Sequence, residues 1–218
     1  MKQKVILFDL DGTLIDSTEA ILTSFYHSFQ VKNYPFKGND EDIKSLIGYP
    51  LDVMYESLGI PKAEAMSFVD EYKSHYREIS IGMTILLDNA KESVELASKN
   101  ARLGVVTTKT TRYSIPLLES MGIMQYFECI IGRQEVENPK PHPEPILKAM
   151  EMMKITQDNF DIYMIGDTKL DLIAAKKAGI KSVGVLCGYG KIEDLSQYTE
   201  LIEPNALQAV KTIINQKN

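Results

Sequence analysis

Short runs of apolar residues recur along the chain, and most are followed by a stretch whose apolar positions repeat every three or four residues. These runs are rich in Val and Ile, and they end in small or polar residues. Both features are typical of strands that are buried on both faces of a parallel sheet. They cover residues 5–8, 103–106, 129–131, 162–165 and 183–186. The amphipathic stretches cover residues 89–99, 113–121, 143–153, 170–178 and 206–214. This alternation predicts an α/β fold, a doubly wound parallel sheet with a Rossmann-like core and helices on both faces.

One long segment, residues 17–82, interrupts the alternation and has no convincing strand pattern. Its helical patterns cover residues 17–30, 40–46, 51–58 and 63–76. Because a structureless loop of this length is implausible in a compact domain, we expect a helical insert after the first strand. The predicted organisation is an α/β core made of residues 1–16 and 83–218, with the insert at residues 17–82.

The composition excludes several classes of protein. The 218 residues carry a net charge of -6, and 44% of them are hydrophobic. An acidic chain is unsuited to nucleic acid or anionic membranes, and no apolar run is long enough to span a membrane. Two cysteines are too few for a disulfide framework, so we expect Cys129 and Cys187 to be buried reduced thiols in a cytoplasmic protein. His27 and His75 lack the spacing of metal ligands.

The residues after the first predicted strand are the strongest indication of chemistry. Asp9 and Asp11 flank Leu10, so strand alternation is expected to place both carboxylates on one side. Such a pair is unfavourable unless a cation lies between the two groups, and Mg²⁺ prefers carboxylate and carbonyl oxygens. Gly12 permits a sharp turn before Thr13, and we expect its N–H groups to face an anion.

Further polar residues follow the other strands. Thr107 ends the second run, before Thr108 and Lys109, where a hydroxyl can bind phosphate or cap a helix. Lys140 lies between two prolines that stiffen its backbone, although a solvated loop lysine is the alternative. After the fourth run come Gly166, Asp167 and a Thr168-x-x-Asp171 capping box, in which Asp171 either caps the helix or also serves the metal site. Carboxyl ends of parallel strands meet at one edge, so these side chains are expected to converge.

This ordered set resembles the motifs of the haloacid dehalogenase-like hydrolase superfamily. They occur here as Asp9-x-Asp11-Gly12-Thr13, Thr107, Lys140 and Gly166-Asp167-x₃-Asp171. The resemblance covers nearly the whole chain and implies that the insert is the family's cap domain. Residues 47–51, 105–109, 140–143 and 166–168 are most similar to the phosphoglycolate phosphatase and pyrophosphatase group. Where many members have Asn after the threonine of the second motif, this chain has Thr108.

The resemblance implies a role for each motif residue. Asp9 is the expected nucleophile, which forms an aspartyl-phosphate, and Asp11 the expected acid and base. Thr107 and Lys140 hold the transferred phosphoryl oxygens. The metal ligands implied for Mg²⁺ come from Asp9, Asp11 through its carbonyl, Asp167 and Asp171. Substrate contacts are implied for Gly12, Thr13, Thr108 and Lys109.

The implied function is a Mg²⁺-dependent phosphatase of a small phosphorylated metabolite, 2-phosphoglycolate first and inorganic pyrophosphate second. A sugar phosphomutase similar to β-phosphoglucomutase and a receiver-type signalling module are the alternatives. Dehalogenation is excluded because a dehalogenase needs no acid at the position of Asp11. We expect cap residues near Tyr49, Arg77 or Lys109 to select the substrate, and the protein to be a monomer or a homodimer.

Overall fold

The computed structural model describes residues 2–216, which form eight strands and ten α-helices. The strands are β1 (Gln3–Phe8), β2 (Ile15–Asp16), β3 (Ile85–Leu86), β4 (Ala101–Val106), β5 (Cys129–Ile131), β6 (Phe160–Gly166), β7 (Lys181–Val185) and β8 (Ile202–Glu203). The helices are α1 (Thr18–Val31), α2 (Asp40–Lys44), α3 (Leu51–Ser57), α4 (Lys62–Met83), α5 (Ala90–Ser98), α6 (Thr111–Ser120), α7 (Glu144–Met152), α8 (Lys169–Ala178), α9 (Ile192–Leu195) and α10 (Ala206–Asn215).

Six strands form one sheet in the order β5-β4-β1-β6-β7-β8, and every neighbouring pair is parallel. The predicted α/β fold is therefore confirmed, and each of the five predicted strands is present. The short strands β2, β3 and β8 were not predicted, because two residues are too few for a periodic pattern to show. Since β1 lies between β4 and β6, the residues that follow these three strands are neighbours.

Apolar side chains fill both faces of the sheet, as the unbroken apolar runs predict. Helices α5, α6 and α10 pack on one face, where Phe8, Val105 and Ile165 belong to a single buried cluster. Helices α7 and α8 pack on the other face against Val5, Leu7 and Met164. Burial on both faces holds the strand ends rigidly, so the residues beyond them have defined positions.

The insert has a hydrophobic cluster built by its four helices, α1 to α4, together with Tyr113 of the core helix α6. At its base, β2 and β3 pair antiparallel, so the two connections to the core lie side by side. Helix α4 continues to Met83, seven residues beyond its predicted end, because Tyr76 and Ser80 stay buried along its length. We propose that these helices are a cap domain joined to the core at residues 16–17 and 82–83.

Within residues 2–216, no helix combines the length and the apolar character that a membrane crossing needs. Both cysteines are free thiols. Cys129 is buried as expected, but the expectation is wrong for Cys187, which is only half-buried. Its Sγ lies 3.4 Å from the Gly12 carbonyl oxygen, just beyond the end of β7.

The two thiols are expected to react slowly in the folded protein. Burial raises the pKa of both Cys129 and Cys187 to about 11, and the nearby charges of Glu128 and Asp167 add to the respective shifts. At pH 8 only about one thiol in a thousand would then be ionised, and the thiolate is the reactive form. Labelling with a chromogenic disulfide should be at least about tenfold slower in native protein than in urea. Equal rates in both conditions would contradict this prediction.

Candidate active site

Three buried carboxylates form a cluster at the carboxyl edge of the sheet. Asp9 follows β1, Asp167 follows β6, and Asp171 lies in the first turn of α8. One oxygen of each lies within 4.8 Å of the others. The convergence expected from the sequence is therefore present for these residues, because β1 and β6 are adjacent in the sheet.

The cluster is electrostatically unfavourable as an isolated group of acids. Burial and, after it, the charge of Asp171 raise the pKa of Asp9, Lys140 opposes both, and the resulting pKa is about 7. The pKa of Asp167 lies well above its ordinary value, chiefly because of burial and then because of Asp9 and Asp171. Carboxyl groups held in this way favour protonation unless another positive charge joins them.

Lys140 supplies one positive charge to this cluster. Its Nζ lies 2.9 Å from Asp9 Oδ1 and 2.5 Å from Asp171 Oδ1, and it donates to the carbonyl oxygen of Val106 at 2.9 Å. Burial alone lowers the pKa of Lys140, but the carboxylates of Asp171 and Asp9 outweigh burial and raise it. Lys140 is thus a buried ammonium with three partners, and the alternative of a solvated loop lysine is wrong.

Asp171 has two structural connections. Its Oδ1 faces Lys140, whereas its Oδ2 accepts hydrogen bonds from the N–H of Thr168 at 3.1 Å and from the Thr168 hydroxyl at 2.8 Å. The predicted capping box is therefore confirmed. The helix cap uses Oδ2 of Asp171 and leaves Oδ1 facing the cluster. Asp171 can therefore cap α8 and also serve a metal site.

Asp11 does not share the environment of Asp9. Its Oδ1 lies 3.2 Å from Lys109 Nζ and accepts a short hydrogen bond from the Ser17 hydroxyl. The sequence interpretation placed the carboxylates of Asp9 and Asp11 together around one cation, and the structure instead gives each its own lysine. Strand alternation does not extend to Asp11, because β1 ends at Phe8 and the chain turns immediately afterwards.

Lys109 connects the core to the helical insert. Its Nζ donates to the Tyr76 hydroxyl of α4 at 2.8 Å and lies 4.5 Å from the centre of the Tyr76 ring. Burial alone lowers the pKa of Lys109, but Asp11 and Tyr76 outweigh burial and raise it. The contact orients the ammonium toward Asp11, and the sequence offered no indication that Tyr76 is involved.

Removal of the Tyr76 hydroxyl is expected to lower turnover without unfolding the protein. In Tyr76→Phe, Lys109 loses its hydroxyl acceptor but keeps Asp11 and the ring that faces the ammonium, and stability falls by about one hydrogen bond, ~1 kcal/mol. We expect kcat/KM to fall about fivefold to tenfold in a steady-state phosphatase assay. Tyr26→Phe, which removes a hydroxyl bonded to Asp40 on the surface of the insert, is the matched control. Full activity of Tyr76→Phe would contradict the positioning role.

The turn after Asp11 packs closely against Asp167. Gly12 has a φ of +76°, and a Cβ at this position would lie 2.3 Å from Asp167 Oδ2. The N–H of Gly12 donates to the Ile15 carbonyl, and that of Thr13 to the Leu10 carbonyl. The expectation that these N–H groups face an anion is therefore wrong, because the turn itself uses them. The Thr13 hydroxyl instead donates to Asp167 Oδ1 at 3.2 Å, and substrate contact by Gly12 and Thr13 stays a prediction.

The two threonines after β4 lie in different surroundings. Thr107 is buried, its N–H donates to the Ile131 carbonyl, and its Oγ1 accepts from the N–H of Lys109 at 3.1 Å. The Thr107 oxygen therefore accepts the hydrogen bond that closes a local turn. The proton of the same hydroxyl can be donated to another group. Thr108 is half-buried and faces the cavity between the core and the insert.

A second glycine-rich turn, missed by the sequence interpretation, completes the site. The N–H of Tyr189 donates to Asp167 Oδ2 at 2.8 Å, and the Tyr189 hydroxyl is 2.9 Å from that of Thr18. A Cβ on Gly188 would lie 2.2 Å from Asp167 Oδ2. This turn follows β7, the strand next to β6, so the pair of glycines after the fifth apolar run is the signal that could have revealed it.

A cavity of about 420 Å³ lies between the insert and the carboxyl edge of the sheet. Asp11, Thr108 and Lys109 line it on the core side, and Tyr49 lines it on the side of the insert. Of the three positions expected to select the substrate, Tyr49 and Lys109 therefore face this cavity. Arg77 lines a different depression beside α6.

Clustered carboxylates and a buried lysine lie beyond the strands of a parallel sheet, at the place where enzymes with this fold bind their substrates. The chain belongs to the haloacid dehalogenase-like hydrolase family, whose model matches residues 6–185. The resemblance inferred from the motifs is thereby confirmed.

Several relatives show where in the family this chain lies. It is 33% identical over 186 residues to a pyrophosphatase PpaX of Halalkalibacterium halodurans, with 85% of this chain and 84% of the relative covered. It is also 33% identical to a phosphoglycolate phosphatase of Escherichia coli over 218 residues, 88% of this chain and 85% of the relative. A solved haloacid dehalogenase-like hydrolase of Streptococcus pneumoniae has a TM-score of 0.86 and 27% identity, and covers 97% of this chain and 98% of its own. The predicted enzyme class and the predicted group within the family are both confirmed.

Proposed function

We propose that this chain is a Mg²⁺-dependent phosphatase that hydrolyses a small phosphorylated metabolite through an aspartyl-phosphate intermediate. The observation that carries the proposal is the buried cluster of Asp9, Asp167 and Asp171, in which Lys140 contacts Asp9 and Asp171. One ammonium does not balance three carboxylates, and burial together with the neighbouring carboxylates raises the pKa of Asp9 and of Asp167. The relatives make 2-phosphoglycolate the leading substrate and inorganic pyrophosphate the second.

The donor set fits a hard divalent cation. It consists of carboxylate oxygens close to one another and buried, and it contains neither cysteine nor histidine. Oxygen donors of this kind suit Mg²⁺, whereas a soft metal would prefer sulfur or imidazole. Asp9 and Asp167 would hold the ion together with the carbonyl of Asp11, and Asp171 would act directly or by orienting its neighbours. When bound, Mg²⁺ supplies positive charge that lowers the repulsion between Asp9 and a phosphate dianion.

Asp9 acts as the nucleophile. An oxygen of its carboxylate bonds to phosphorus while the bond from phosphorus to the leaving oxygen breaks. Lys140, at 2.9 Å, positions the Asp9 carboxylate and favours its ionised form against the effect of burial, and a bound cation would favour that form further, so no general base is required. The contact of Lys140 with Asp171 fixes the ammonium from its other side.

Asp11 moves the proton in both halves of the reaction. Its carboxyl group donates a proton to the leaving oxygen and then accepts one from the water that hydrolyses the aspartyl-phosphate. Its position supports this assignment, because Asp11 lines the cavity and Asp9 is not one of the lining residues. The balanced result is one ester and one water converted to one alcohol and one phosphate.

Donors around the phosphoryl group stabilise the charge that develops on its oxygens. The hydroxyl proton of Thr107 has no acceptor within residues 2–216 and can serve this purpose, and Lys140 and Lys109 supply ammonium groups on two sides. Fixed donors of this kind account for much of the catalysis of phosphoryl transfer. The cap helices exclude water while Asp9 attacks and release the product afterwards.

A panel of phosphates tests the function. We expect multiple turnovers with 2-phosphoglycolate or pyrophosphate in Mg²⁺, weaker turnover with sugar phosphates, and loss of activity in EDTA that is restored by Mg²⁺. Colorimetric release of inorganic phosphate measures each rate. One stable phosphorylation without turnover would instead favour the receiver-type alternative, and transfer of phosphate between sugar hydroxyls would favour a phosphomutase. We place the enzyme in the cytoplasm, where such metabolites occur.

A further inference from the structure

The cavity beside Asp11 is lined mainly by apolar and aromatic side chains of the insert. Ile21 comes from α1, Met54 from α3, and Val69, Tyr72 and Tyr76 from α4. The rings of Tyr72 and Tyr76 are stacked, with 5.5 Å between centres and 12° between planes. The lining thus presents a preformed apolar wall with an aromatic face.

The position of the cavity indicates that the leaving group of the substrate occupies it. Asp11, which protonates the leaving oxygen in the proposed reaction, lines the cavity, whereas the nucleophile Asp9 does not. A phosphate ester whose phosphorus faces Asp9 would therefore direct its organic part past Asp11 toward α3 and α4. Compact leaving groups, such as glycolate or phosphate, would occupy only the end nearest Asp11 and Lys109.

The size and chemistry of the cavity favour a larger occupant. Its volume of about 420 Å³ lies in the range of pockets that enclose drug-sized ligands, roughly 300–1,000 Å³. A carboxylate or phosphate pressed against Ile21, Met54 and Val69 would lose hydration without gaining donors there. An apolar ring would instead release water from the wall and pack on the aromatic faces.

One polar group of this wall has no hydrogen-bond partner within residues 2–216. It is the hydroxyl of Tyr72, a residue that is 5% exposed overall and lines the cavity. A hydroxyl at the wall of a cavity is normally satisfied by water or by a ligand. The charged residues Asp52, Lys73, Arg112 and Arg133 also belong to the lining, and Arg112 and Arg133 donate to Tyr113 and Val136 respectively.

We infer that the site accepts phosphate monoesters whose leaving group carries a ring-sized apolar group, and that this group occupies the wall formed by α1, α3 and α4. The inference rests on the proposed phosphatase function and adds a substrate class to the compact phosphates named for the relatives. The ring lies against Met54, Val69 and Tyr72, while the ester oxygen stays beside Asp11.

A matched pair of esters tests the inference. Ethyl phosphate and 2-phenylethyl phosphate have the same two carbons next to the leaving oxygen and differ only by the phenyl ring, which replaces one terminal hydrogen. Because one methylene in an apolar pocket changes kcat/KM by about 10-fold to 200-fold, we expect at least about tenfold higher kcat/KM for the phenylethyl ester. Equal kcat/KM values for the two esters would overturn the inference.

Variants that fill the cavity locate the ring. In Val69→Phe and Met66→Trp, the larger side chain enters the wall or its mouth, so the ratio of the two kcat/KM values should fall toward one. Met66 is 54% exposed, which makes its replacement compatible with folding. Met152→Trp, at an equally exposed methionine of α7 outside the cavity, is the control and should keep the wild-type ratio. A ratio unchanged in both cavity variants would place the ring elsewhere and overturn the inference.

Binding separates this inference from the proposed function. Calorimetry without added metal compares the affinity of the chain for the two esters directly. Tighter binding of 2-phenylethyl phosphate by about tenfold supports the cavity assignment even if no ester is hydrolysed, in which case the phosphatase proposal alone fails. Hydrolysis of compact phosphates with no preference for the ring, in binding or in turnover, supports the function and overturns the inference.

Discussion

Asp9→Asn is expected to abolish turnover while the protein remains folded. The amide has nearly the same shape as the carboxylate but is a poor nucleophile, so the aspartyl-phosphate does not form. Loss of the principal group of a covalent mechanism lowers kcat by several orders of magnitude, on the order of 10⁴-fold or more. The measurement is phosphate release under saturating 2-phosphoglycolate and Mg²⁺, with circular dichroism as the check on folding.

A control variant and a second measurement make the prediction for Asp9→Asn specific. Asp88→Asn changes an exposed aspartate in the same way and should keep the wild-type rate. Rapid acid quenching after mixing with substrate should trap an acid-stable, hydroxylamine-sensitive phosphoenzyme in the wild type and none in Asp9→Asn. Substantial turnover by Asp9→Asn would show that another residue attacks phosphorus.

Lys140→Met is expected to damage both stability and catalysis. The substitution keeps most of the length of the side chain but removes the only ammonium that contacts both Asp9 and Asp171 in the described chain. Loss of one partner from a buried ion pair costs about 3–5 kcal/mol of unfolding free energy. We also expect kcat to fall by about 10²-fold to 10³-fold, because a donor to the phosphoryl oxygens is lost.

The loss of unfolding free energy in Lys140→Met should depend on pH in a defined direction. The folded pKa of Asp9, about 7, lies above its ordinary value of 3.8, so folding favours the protonated acid. The contribution of Asp9 to stability is therefore complete below about pH 4 and is lost as the pH rises through 7. Urea denaturation without metal should accordingly show a larger deficit at pH 8 than at pH 5, and added Mg²⁺ should reduce it.

A charge-preserving variant and a surface control complete the experiment. Lys140→Arg retains a positive charge and should be more stable than Lys140→Met, although a guanidinium does not fit the three-partner site of an ammonium. Lys91→Met, at an exposed position of α5, should change the unfolding free energy by less than about 0.5 kcal/mol. A stability of Lys140→Met equal to that of the wild type would show that the acidic cluster needs no counter-charge from this residue.

Local patterns were sufficient for most of the fold. The five predicted strands and the helices that follow them are present, because a buried strand and an amphipathic helix each leave a period in the sequence. The extension of α4 to Met83 and the pairing of β2 with β3 were not predicted. Both depend on packing between segments distant in sequence rather than on a period within one segment.

The candidate site shows the same division. The order of the motifs at successive strand ends predicted that Asp9, Lys140, Asp167 and Asp171 lie close together. The structure confirms this convergence. The separate pairing of Asp11 with Lys109 could not be predicted, since it depends on where the chain turns after Phe8. The turn at Gly188 and Tyr189 was missed because its role arises only from the adjacency of β6 and β7.

By itself, the sequence determined the kinds of groups in this protein and their order along the sheet edge. These features follow from short-range backbone preferences and from the rule that parallel strands present their carboxyl ends together. Only the tertiary structure decided which carboxylate faces which lysine, that Tyr76 reaches Lys109 from the insert, and that an apolar cavity opens beside Asp11. The reason is that contacts of a few ångströms between distant segments depend on how the sheet and the insert pack, which no local pattern records.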